Sequence, residues 1–505
     1  MIRSGYLLGI DIGSSSVKAS LVGVTTGQSI ASAQSPDEEM SMIAIQSGWA
    51  EQNPELWWEH TVRSVRRCLQ QSGIKPDEVL AIGIAYQMHG LVVVDKDQKP
   101  LRPSIIWCDS RAVEIGEKAF QQLGVEFCLH HLLNSPGNFT ASKLKWVKDH
   151  EPGLYHRIYK VMLPGDYIAM KLSGEIRTTD TGLSEGVFWD YQEKGISRKL
   201  LDHFGINPAL LADTVPVFSI QGELRSDAAQ ELGLKTRTKI SYRAGDQPNN
   251  AFSLNVLNPG ETAATAGTSG VIYSVSDRNV FDLQSRVNTF IHVNNSREQI
   301  RNGVLLCVNG TGIQNSWLRK IIKGEGASFD YEQMNSMVAQ VPIGSEGVMV
   351  LPFGNGAERM LGNKEIQSSI HGLNFNRHNS SHLFRAAQEG IVFALKYGFE
   401  ILQEMGLKTE VIKAGNANMF LSPVFREVFV NTIGARLELY DTDGAKGEAL
   451  GAGVGAGIYT SYKEAFAGLT RIGEKEVDPV KVDSYGEAYH LWKKTLMNTL
   501  KFGSI

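Results

Sequence analysis

Apolar and polar positions along the chain follow two different periods, and together they predict strands interleaved with helices. In the first 35 residues, short apolar runs between small polar turns predict two or three strands. Residues 56–73, LWWEHTVRSVRRCLQQSG, carry apolar residues at helical spacing and end in Gly73, a typical helix terminator. Strand and helix patterns also interchange in the C-terminal third. This pattern predicts an α/β fold with helices covering the sheets.

One apolar run near the N-terminus ends in a carboxylate. In GYLLGIDIGSSSVKASLVGV, residues 5–24, the run stops at Asp11, a turn of glycine and serines follows, and apolar residues then alternate at Val17, Ala19 and Leu21. Glycine and serine are enough to form such a turn. Asp11 therefore needs an explanation of its own.

The same arrangement recurs about half a chain later. Residues 11–17, DIGSSSV, align with residues 265–271, TAGTSGV, and in each copy a strand enters a Gly-Ser-Ser or Gly-Thr-Ser turn and leaves as another strand. Two ordinary hairpins would explain this, but the repeat favours two related halves. We expect domains at residues 1–253 and 254–505. Convergent N–H groups in such turns can bind phosphate oxygens.

Size, charge and cysteine content exclude several classes of protein. A chain of 505 residues is expected to form more than one domain. Its net charge of −4 gives no sign of a nucleic-acid partner. No stretch has the ~20 apolar residues that a membrane span needs, and we identify no signal peptide. The four cysteines are far apart, as in a protein with reduced thiols, so we expect a cytoplasmic location.

Two nucleotide-binding motifs can be tested directly. The pattern GxxxxGK[ST] does not occur in the chain. GAGVGA, residues 451–456, fits GxGxxG/A but does not follow a clear strand. We therefore expect its small residues to allow close packing of a helix.

Three charged residues have both a functional and a structural interpretation. Asp11, beside a phosphate-binding turn, is well placed to hold Mg²⁺ directly or through water. Lys18 is either a phosphate contact or a solvated strand residue. Asp246, in YRAGDQPNNAFS, follows a strand and precedes a helix, so it is either an N-cap or a general base.

Two further segments follow apolar runs. YQMHGLVV places Met88 and His89 where a buried strand stops, and such a histidine is either structural or a contact for a polar ligand. IIWCDSRA brings together Trp107, Asp109 and Arg111. These side chains suit a polyhydroxylated ligand, although a surface Asp–Arg pair would explain the last two.

Taken together, these segments resemble the FGGY carbohydrate kinases along nearly the whole chain. The similar segments, in order, are GIDIGSSSVK, GWAEQNPELWW, QMHG, IIWCDSR, FTASKLKWVKDHEP, AGDQPNN, TAGTSG and KAGNANMF. The resemblance implies two actin-like ATPase domains of the ribonuclease-H-like type, with sugar and ATP meeting in the cleft between them. It implies no nucleic-acid or membrane partner. A homodimer is left open.

The resemblance also assigns roles residue by residue. It places the catalytic base at Asp246 and the acidic residue near Mg²⁺ at Asp11. The sugar contacts fall at Met88, His89, Trp107, Asp109 and Gln247. The ATP contacts fall at Ser14, Ser15, Lys18, Gly267, Thr268, Ser269, Gly310, Gln314, Ala414, Gly415 and Asn418.

Within the family, QMHG followed by IIWCDSR is most similar to the xylulokinases, which implies phosphorylation of D-xylulose at O5. Three features depart from that pattern. Asp246-Gln247 and AGNANMF are closer to glycerol kinases, which leaves a glycerol or other polyol kinase as the alternative. Residues 356–362, GAERMLG, stand where many members have GERTP, and the resemblance does not say what this loop does. An actin-like binding protein without kinase activity is the remote alternative.

Overall fold

The computed structural model describes residues 5–323, 330–442 and 444–502, and within these ranges the chain forms 23 strands and 17 α-helices. The strands up to residue 253 are β1 (Tyr6–Ile12), β2 (Val17–Gly23), β3 (Ser29–Ser35), β4 (Glu51–Gln52), β5 (Val79–Tyr86), β6 (Val92–Val94), β7 (Ser104–Ile105), β8 (Lys160–Met162), β9 (Arg177–Thr178), β10 (Trp189–Asp190), β11 (Gly195–Ile196), β12 (Asp213–Thr214), β13 (Phe218–Glu223) and β14 (Lys239–Gly245). The helices are α1 (Pro54–Ser72), α2 (Val113–Leu123), α3 (Val125–Phe127), α4 (Thr140–His150), α5 (Pro152–Tyr155), α6 (Pro164–Ser173), α7 (Asp180–Glu185), α8 (Arg198–Phe204), α9 (Ser226–Leu232) and α10 (Asp246–Ser253).

The remaining elements follow residue 253. The strands are β15 (Thr262–Ala266), β16 (Gly270–Ser276), β17 (Asn288–Ile291), β18 (Asn302–Val308), β19 (Met349–Phe353), β20 (Gln367–His371), β21 (Val411–Gly415), β22 (Arg436–Tyr440) and β23 (Arg471–Lys475). The helices are α11 (Gly312–Lys323), α12 (Tyr331–Ala339), α13 (Ser380–Glu404), α14 (Pro423–Ile433), α15 (Gly444–Gly455), α16 (Tyr462–Ala465) and α17 (Pro479–Phe502).

Two large sheets share one topology. The first has the order β13-β14-β5-β1-β2-β3, and the second has the order β17-β18-β16-β15-β21-β22-β23. In each, an antiparallel meander of three strands is extended by two parallel strands and then by an antiparallel edge strand. The second sheet has one further strand, β17, which pairs antiparallel with β18. The predicted internal repeat is therefore confirmed, because both of its copies form the first hairpin of a sheet.

Local sequence explains the helix that covers the first sheet. Helix α1 begins after Asn53, whose side chain accepts a hydrogen bond from the N–H of Glu55, and it ends at Gly73 with φ of 67°. Both features are typical of helix ends. Trp57 and Val65 on its buried face pack into the same core as strands β1 and β2. The predicted helix and its end at Gly73 are confirmed.

The opposite face of the first sheet is covered by α15, a helix from the C-terminal half of the chain. A Cβ added at Gly9 would lie 1.9 Å from the carbonyl oxygen of Ala445, and one added at Gly83 would lie 2.0 Å from that of Glu448. On the helix, a Cβ at Gly451 would lie 2.6 Å from the Tyr242 ring. Small residues thus let helix and sheet backbones approach closely, which confirms the structural interpretation of GAGVGA.

The path of the chain crosses the predicted domain boundary more than once. Helix α10 ends at Ser253 and β15 begins at Thr262, but α15 and the apolar residues around Tyr459 and Phe466 return to the core of the first sheet. The division between residues 253 and 254 stays a prediction.

The C-terminal helix α17 packs on its own chain. It buries Tyr485, Tyr489, Trp492 and Leu496, and the indole of Trp492 donates a hydrogen bond of 2.8 Å to the carbonyl oxygen of Val350. Across the described ranges, none of the helices combines the length and apolarity needed to cross a membrane.

The tight contact of α15 with the sheet predicts a steric cost at Gly83. Replacing Gly83 by Ala would force its Cβ against the carbonyl oxygen of Glu448, 2.0 Å away. Overpacking of this kind costs about 1–3 kcal/mol. We expect Gly83→Ala to lower the midpoint of chemical and thermal unfolding.

Gly486→Ala is the matched control, because nothing lies within 4 Å of its added Cβ and the residue is exposed within α17. Alanine in a helix interior is up to about 1 kcal/mol more favourable than glycine. Equal stability of the two variants would contradict the steric account.

Candidate active site

Two carboxylates lie at the same edge of the first sheet. Asp11 is near the end of β1, and Asp246 follows β14 directly. Both strands run parallel to β5, so their carboxyl ends meet at one edge, where ligands bind in open α/β sheets. Burial, and then the charge of Asp11, raise the pKa of Asp246 to about 7. The two side chains therefore interact, and Asp246 can exchange a proton near neutral pH.

Asp246 is the first residue of α10 rather than its N-cap. The N-cap is Gly245, and no side chain caps this helix end. The N-cap interpretation of Asp246 is therefore wrong. Gln247 donates a hydrogen bond of 3.2 Å from Nε2 to Asp246 Oδ2, while its Oε1 is buried without a hydrogen-bond partner. That oxygen is an acceptor that a bound hydroxyl could satisfy.

Met88 and His89 follow β5 and lie close to the Asp246 end of β14. A Cβ added at Gly245 would lie 2.7 Å from Met88 Cγ. His89 has φ of 61°, and its ring is in edge-on contact with Phe139 at a centroid distance of 4.9 Å. Burial, followed by the charge of Lys143, lowers its pKa to about 3. The imidazole is therefore neutral and can both donate and accept a hydrogen bond.

Two residues outside the expected set hold His89 in place. The carbonyl oxygen of Glu185 lies 2.9 Å from His89 Nδ1. The buried ammonium of Lys143 donates to the carbonyl oxygens of His89 at 3.0 Å and Ile106 at 2.9 Å. Lys143 thus joins the ends of the two segments that were predicted to contact a sugar.

The side chain of Glu185 connects the same region to Asp246. A Cβ added at Gly245 would lie 2.5 Å from Glu185 Oε2. Burial, followed by the charge of Asp246, raises the pKa of Glu185 well above its ordinary value. Glu185 therefore holds a proton more readily than an ordinary glutamate while Asp246 is ionised.

Trp107 lies at the boundary between the sugar segment and the first hairpin. Its side chain is 37% exposed, and its indole N–H donates to Ser14 Oγ over 3.3 Å. The aromatic face is therefore accessible to a ligand beside the first hairpin.

Asp109 lies in the protein interior, although the family resemblance implied a contact with the sugar. It is fully buried, its Oδ2 accepts a hydrogen bond of 2.6 Å from the N–H of Ala50, and both of its oxygens are bonded to Arg111. The Arg111 guanidinium in turn stacks on Trp49 at 3.7 Å and pairs with Glu51. The Asp–Arg pair foreseen on the surface is thus buried. These contacts favour a structural role for Asp109 over direct contact with a sugar.

The first hairpin presents polar groups beside Asp11. Lys18 is directly opposite Asp11 in the antiparallel pair β1–β2, so the two side chains share one face of the sheet. Lys18 and Ser15 are exposed in the turn region, and Gln52 holds the turn by donating to the carbonyl oxygen of Ser14 over 2.7 Å.

The second hairpin is packed against the first residues of α11. The N–H of Gly312 donates to the carbonyl oxygen of Gly267 over 2.8 Å, and that of Ile313 to the carbonyl oxygen of Thr268 over 3.3 Å. The Ser269 hydroxyl bonds to the Cys307 thiol, whose pKa is raised to about 12 by burial, then by the charge of Glu358 and, to a smaller extent, by that of Asp246. This hairpin is therefore near Asp246 as well.

The other loops predicted to contact nucleotide converge on the second hairpin. Ala414 and Gly415 end β21, which pairs with β15, and Asn418 Nδ2 would lie 3.5 Å from a Cβ at Gly267. Gly310 packs against Pro352, with 1.6 Å between its added Cβ and the proline carbonyl oxygen. Both polar atoms of the Gln314 amide are buried without hydrogen-bond partners. An orphaned amide beside these loops fits a bound polar ligand such as a nucleotide.

A magnesium ion would have few protein ligands here. Among the residues that the structure describes, no group of three or more His, Cys, Asp or Glu side chains could hold a metal ion by itself. Asp11 supplies one carboxylate beside the turn of the first hairpin, which is predicted to bind phosphate. Mg²⁺ is commonly held by one or two carboxylates together with phosphates and waters, so the donor set fits a metal that arrives with a nucleotide.

Comparison with known proteins agrees with this arrangement. Residues 6–253 match the FGGY family of carbohydrate kinases, N-terminal domain. Xylulose kinase of Bacillus subtilis is 28% identical over 467 residues, covering 91% of this chain and 90% of that protein. Xylulose kinase of Escherichia coli is 29% identical over 448 residues, covering 88% of each.

Solved structures share the fold. Ligand-bound xylulose kinase from Lactobacillus acidophilus has a TM-score of 0.88 at 21% identity and covers 99% of both chains. Plasmodium falciparum glycerol kinase with ADP has a TM-score of 0.84 at 19% identity and covers 98% of both. The expected two-domain actin-like ATPase fold is confirmed, and residues 6–253, the N-terminal half of the chain, belong to the FGGY family of carbohydrate kinases.

Proposed function

We propose that this carbohydrate kinase transfers the γ-phosphoryl group of ATP to O5 of D-xylulose. The observation that carries the proposal is the position of Asp246, at the sheet edge that also carries Asp11 and the Met88–His89 segment. At Gly245, the residue before Asp246, an added Cβ would lie 2.7 Å from Met88 Cγ. The relatives named xylulose kinase, which cover most of the chain, support this choice of sugar.

Asp246 acts as the general base in this proposal. The sugar hydroxyl oxygen forms a bond to the γ-phosphorus, the bond from phosphorus to the bridging oxygen of ADP breaks, and the hydroxyl proton goes to Asp246. A pKa of about 7 keeps the carboxylate basic enough to take this proton while still largely ionised above neutrality. Phosphoryl transfer has a loose transition state, so positioning and charge neutralisation supply most of the catalysis.

The remaining site residues position the two substrates. Met88, His89, Trp107 and Gln247 would contact the sugar. Asp11 would hold Mg²⁺, which when bound neutralises charge on the phosphates. The hairpin turns at 13–16 and 267–269 would supply N–H and hydroxyl groups to the phosphate oxygens.

A polyol kinase is the second candidate. The similarity of Asp246-Gln247 to glycerol kinases favours it, and the buried, unpartnered Oε1 of Gln247 would accept a hydrogen bond from a small polyol as readily as from a ketose. An actin-like protein without sugar kinase activity is the remaining alternative.

A substrate panel tests the proposed function. ADP release would be measured with ATP and Mg²⁺ over D-xylulose, L-xylulose, D-ribulose, L-ribulose and glycerol, each against a reaction without sugar. We expect D-xylulose to give the highest kcat/KM. Preference for glycerol would overturn the choice of sugar, and ADP release independent of every sugar would overturn the kinase proposal.

Removing the Asp246 carboxylate tests its role as base. Asp246→Asn keeps the size and one oxygen of the side chain but cannot take the proton, so we expect kcat to fall by a factor on the order of 10² or more. KM for the sugar should change little. Asp97→Asn, an exposed surface substitution, is the control. Near-normal turnover by Asp246→Asn would exclude the role.

The pH dependence of kcat/KM provides a separate test. The folded protein raises the pKa of Asp246, so the proton is held up to about pH 7 and the base is lost as pH falls through that value. We expect kcat/KM of the wild type to fall about tenfold for each pH unit below about pH 7. Any residual activity of Asp246→Asn should not show this fall of kcat/KM at acidic pH. A flat wild-type profile between pH 5 and 8 would contradict the assignment.

A further inference from the structure

The segment 355–359, which includes part of the GAERMLG loop, forms a cradle around Asn309. The N–H of Asn309 donates to Glu358 Oε1 over 2.9 Å, and Asn309 Nδ2 donates to the carbonyl oxygen of Ala357 over 2.9 Å. Asn355 Nδ2 donates to the carbonyl oxygen of Asn309 over 3.1 Å. Three residues thus fix both the backbone and the side chain of Asn309, which directly precedes Gly310.

Glu358 is the buried part of this cradle. Its side chain is almost fully buried, and its Oε2 lacks a hydrogen-bond partner. Burial raises its pKa to about 8, although the N–H groups of Asn309 and Gly310 act in the opposite direction. A carboxyl in such a place is costly to bury, so its contacts with the loop are specific rather than incidental.

The side chain of Arg359 extends away from Asn309, toward Phe139, whose ring contacts His89. Its Nη2 donates to Ser135 Oγ over 3.1 Å and to Ser285 Oγ over 2.8 Å. Its guanidinium carbon lies 5.2 Å from the centre of the Phe139 ring. The same Phe139 ring is in edge-on contact with His89. Arg359 therefore supports the aromatic ring against which His89 rests.

We propose that Glu358 and Arg359 are positioning residues that connect the nucleotide loop at Asn309–Gly310 to the sugar-side wall at Phe139 and His89. Because the two residues are adjacent, a displacement of either loop is transmitted directly to the other. Binding at one site then changes affinity at the other, and the effect is reciprocal. The inference rests on the proposed function for the identity of the two ligands.

The test is the affinity for ADP with Mg²⁺, measured by isothermal titration calorimetry with and without saturating D-xylulose. In the wild type we expect the sugar to change the ADP dissociation constant by about fivefold or more, within the usual range for coupled sites. Glu358→Ala should weaken ADP binding on its own by about fivefold or more and abolish the sugar effect. Arg359→Ala should leave ADP affinity without sugar within about twofold and also abolish the sugar effect.

Conservative variants separate positioning from general destabilisation. Glu358→Gln keeps an oxygen that can accept from the N–H of Asn309, so we expect it to retain ADP affinity and coupling. Arg359→Lys lacks the planar guanidinium that lies over the Phe139 ring, so we expect it to behave as Arg359→Ala. Arg377→Ala, whose exposed ion pair with Glu346 touches neither loop, is the control and should retain full coupling.

Two results would overturn the proposal. One is a wild-type effect of D-xylulose on ADP affinity in both Glu358→Ala and Arg359→Ala when these variants are folded, and the other is the absence of this effect in the wild type. A failure of the proposed function is recognised separately, because the wild type would then neither bind nor phosphorylate D-xylulose. In that case the affinity for ADP alone still tests whether Glu358 positions the Asn309–Gly310 loop. Unchanged affinity in Glu358→Ala would refute it, and a loss rescued by Glu358→Gln would support it.

Discussion

The close packing of α15 on the glycine-containing face of the first sheet is the contact on which the active site depends. Gly9 and Gly83 leave room for the helix backbone, and no larger residue would fit there. The first residue of α15, Gly444, accepts a hydrogen bond of 3.1 Å from Asn249 Nδ2, and Glu448 on the same helix accepts another at 3.0 Å. Asn249 belongs to α10, which begins at Asp246. A helix from the C-terminal half thus fixes the orientation of the proposed base.

This arrangement brings negative charge together at an energetic cost. Asp11 and Asp246 share one sheet edge, and Glu185 lies against the residue before Asp246. Like charges and burial both oppose ionisation, which explains why the pKa of Asp246 and that of Glu185 are raised. Strained or costly groups of this kind cluster at functional sites, where the surrounding fold holds them in place. A base that titrates near neutral pH is the useful consequence.

Local sequence patterns were sufficient for much of the fold and for part of the site. The two hairpins and the helix ending at Gly73 depend on neighbouring residues, so their signals are contained in short segments. The small residues of 451–456 indicated close packing of a helix, although the sheet that they contact is distant in sequence. Asp246 was ambiguous, because a residue between strand and helix has the same pattern whether it caps the helix or begins it. The family resemblance favoured a base, and only the backbone excluded the cap.

The residues that sequence could not identify are those whose contacts span long separations. Lys143 bonds to His89 and Ile106, and Glu358 bonds to Asn309, so neither role has a local signature. For Asp109 the sequence predicted a sugar contact, because a carboxylate can bind sugar hydroxyls. In the structure its carboxylate is instead bonded to Arg111 and to the N–H of Ala50. Phosphoryl transfer depends mainly on positioning, so in the proposed function these long-range contacts would affect the reaction without touching a reacting atom. The type of reaction can therefore be inferred from short motifs, whereas the choice of sugar would depend on the side chains around His89 and Phe139, which residues distant in sequence hold in place.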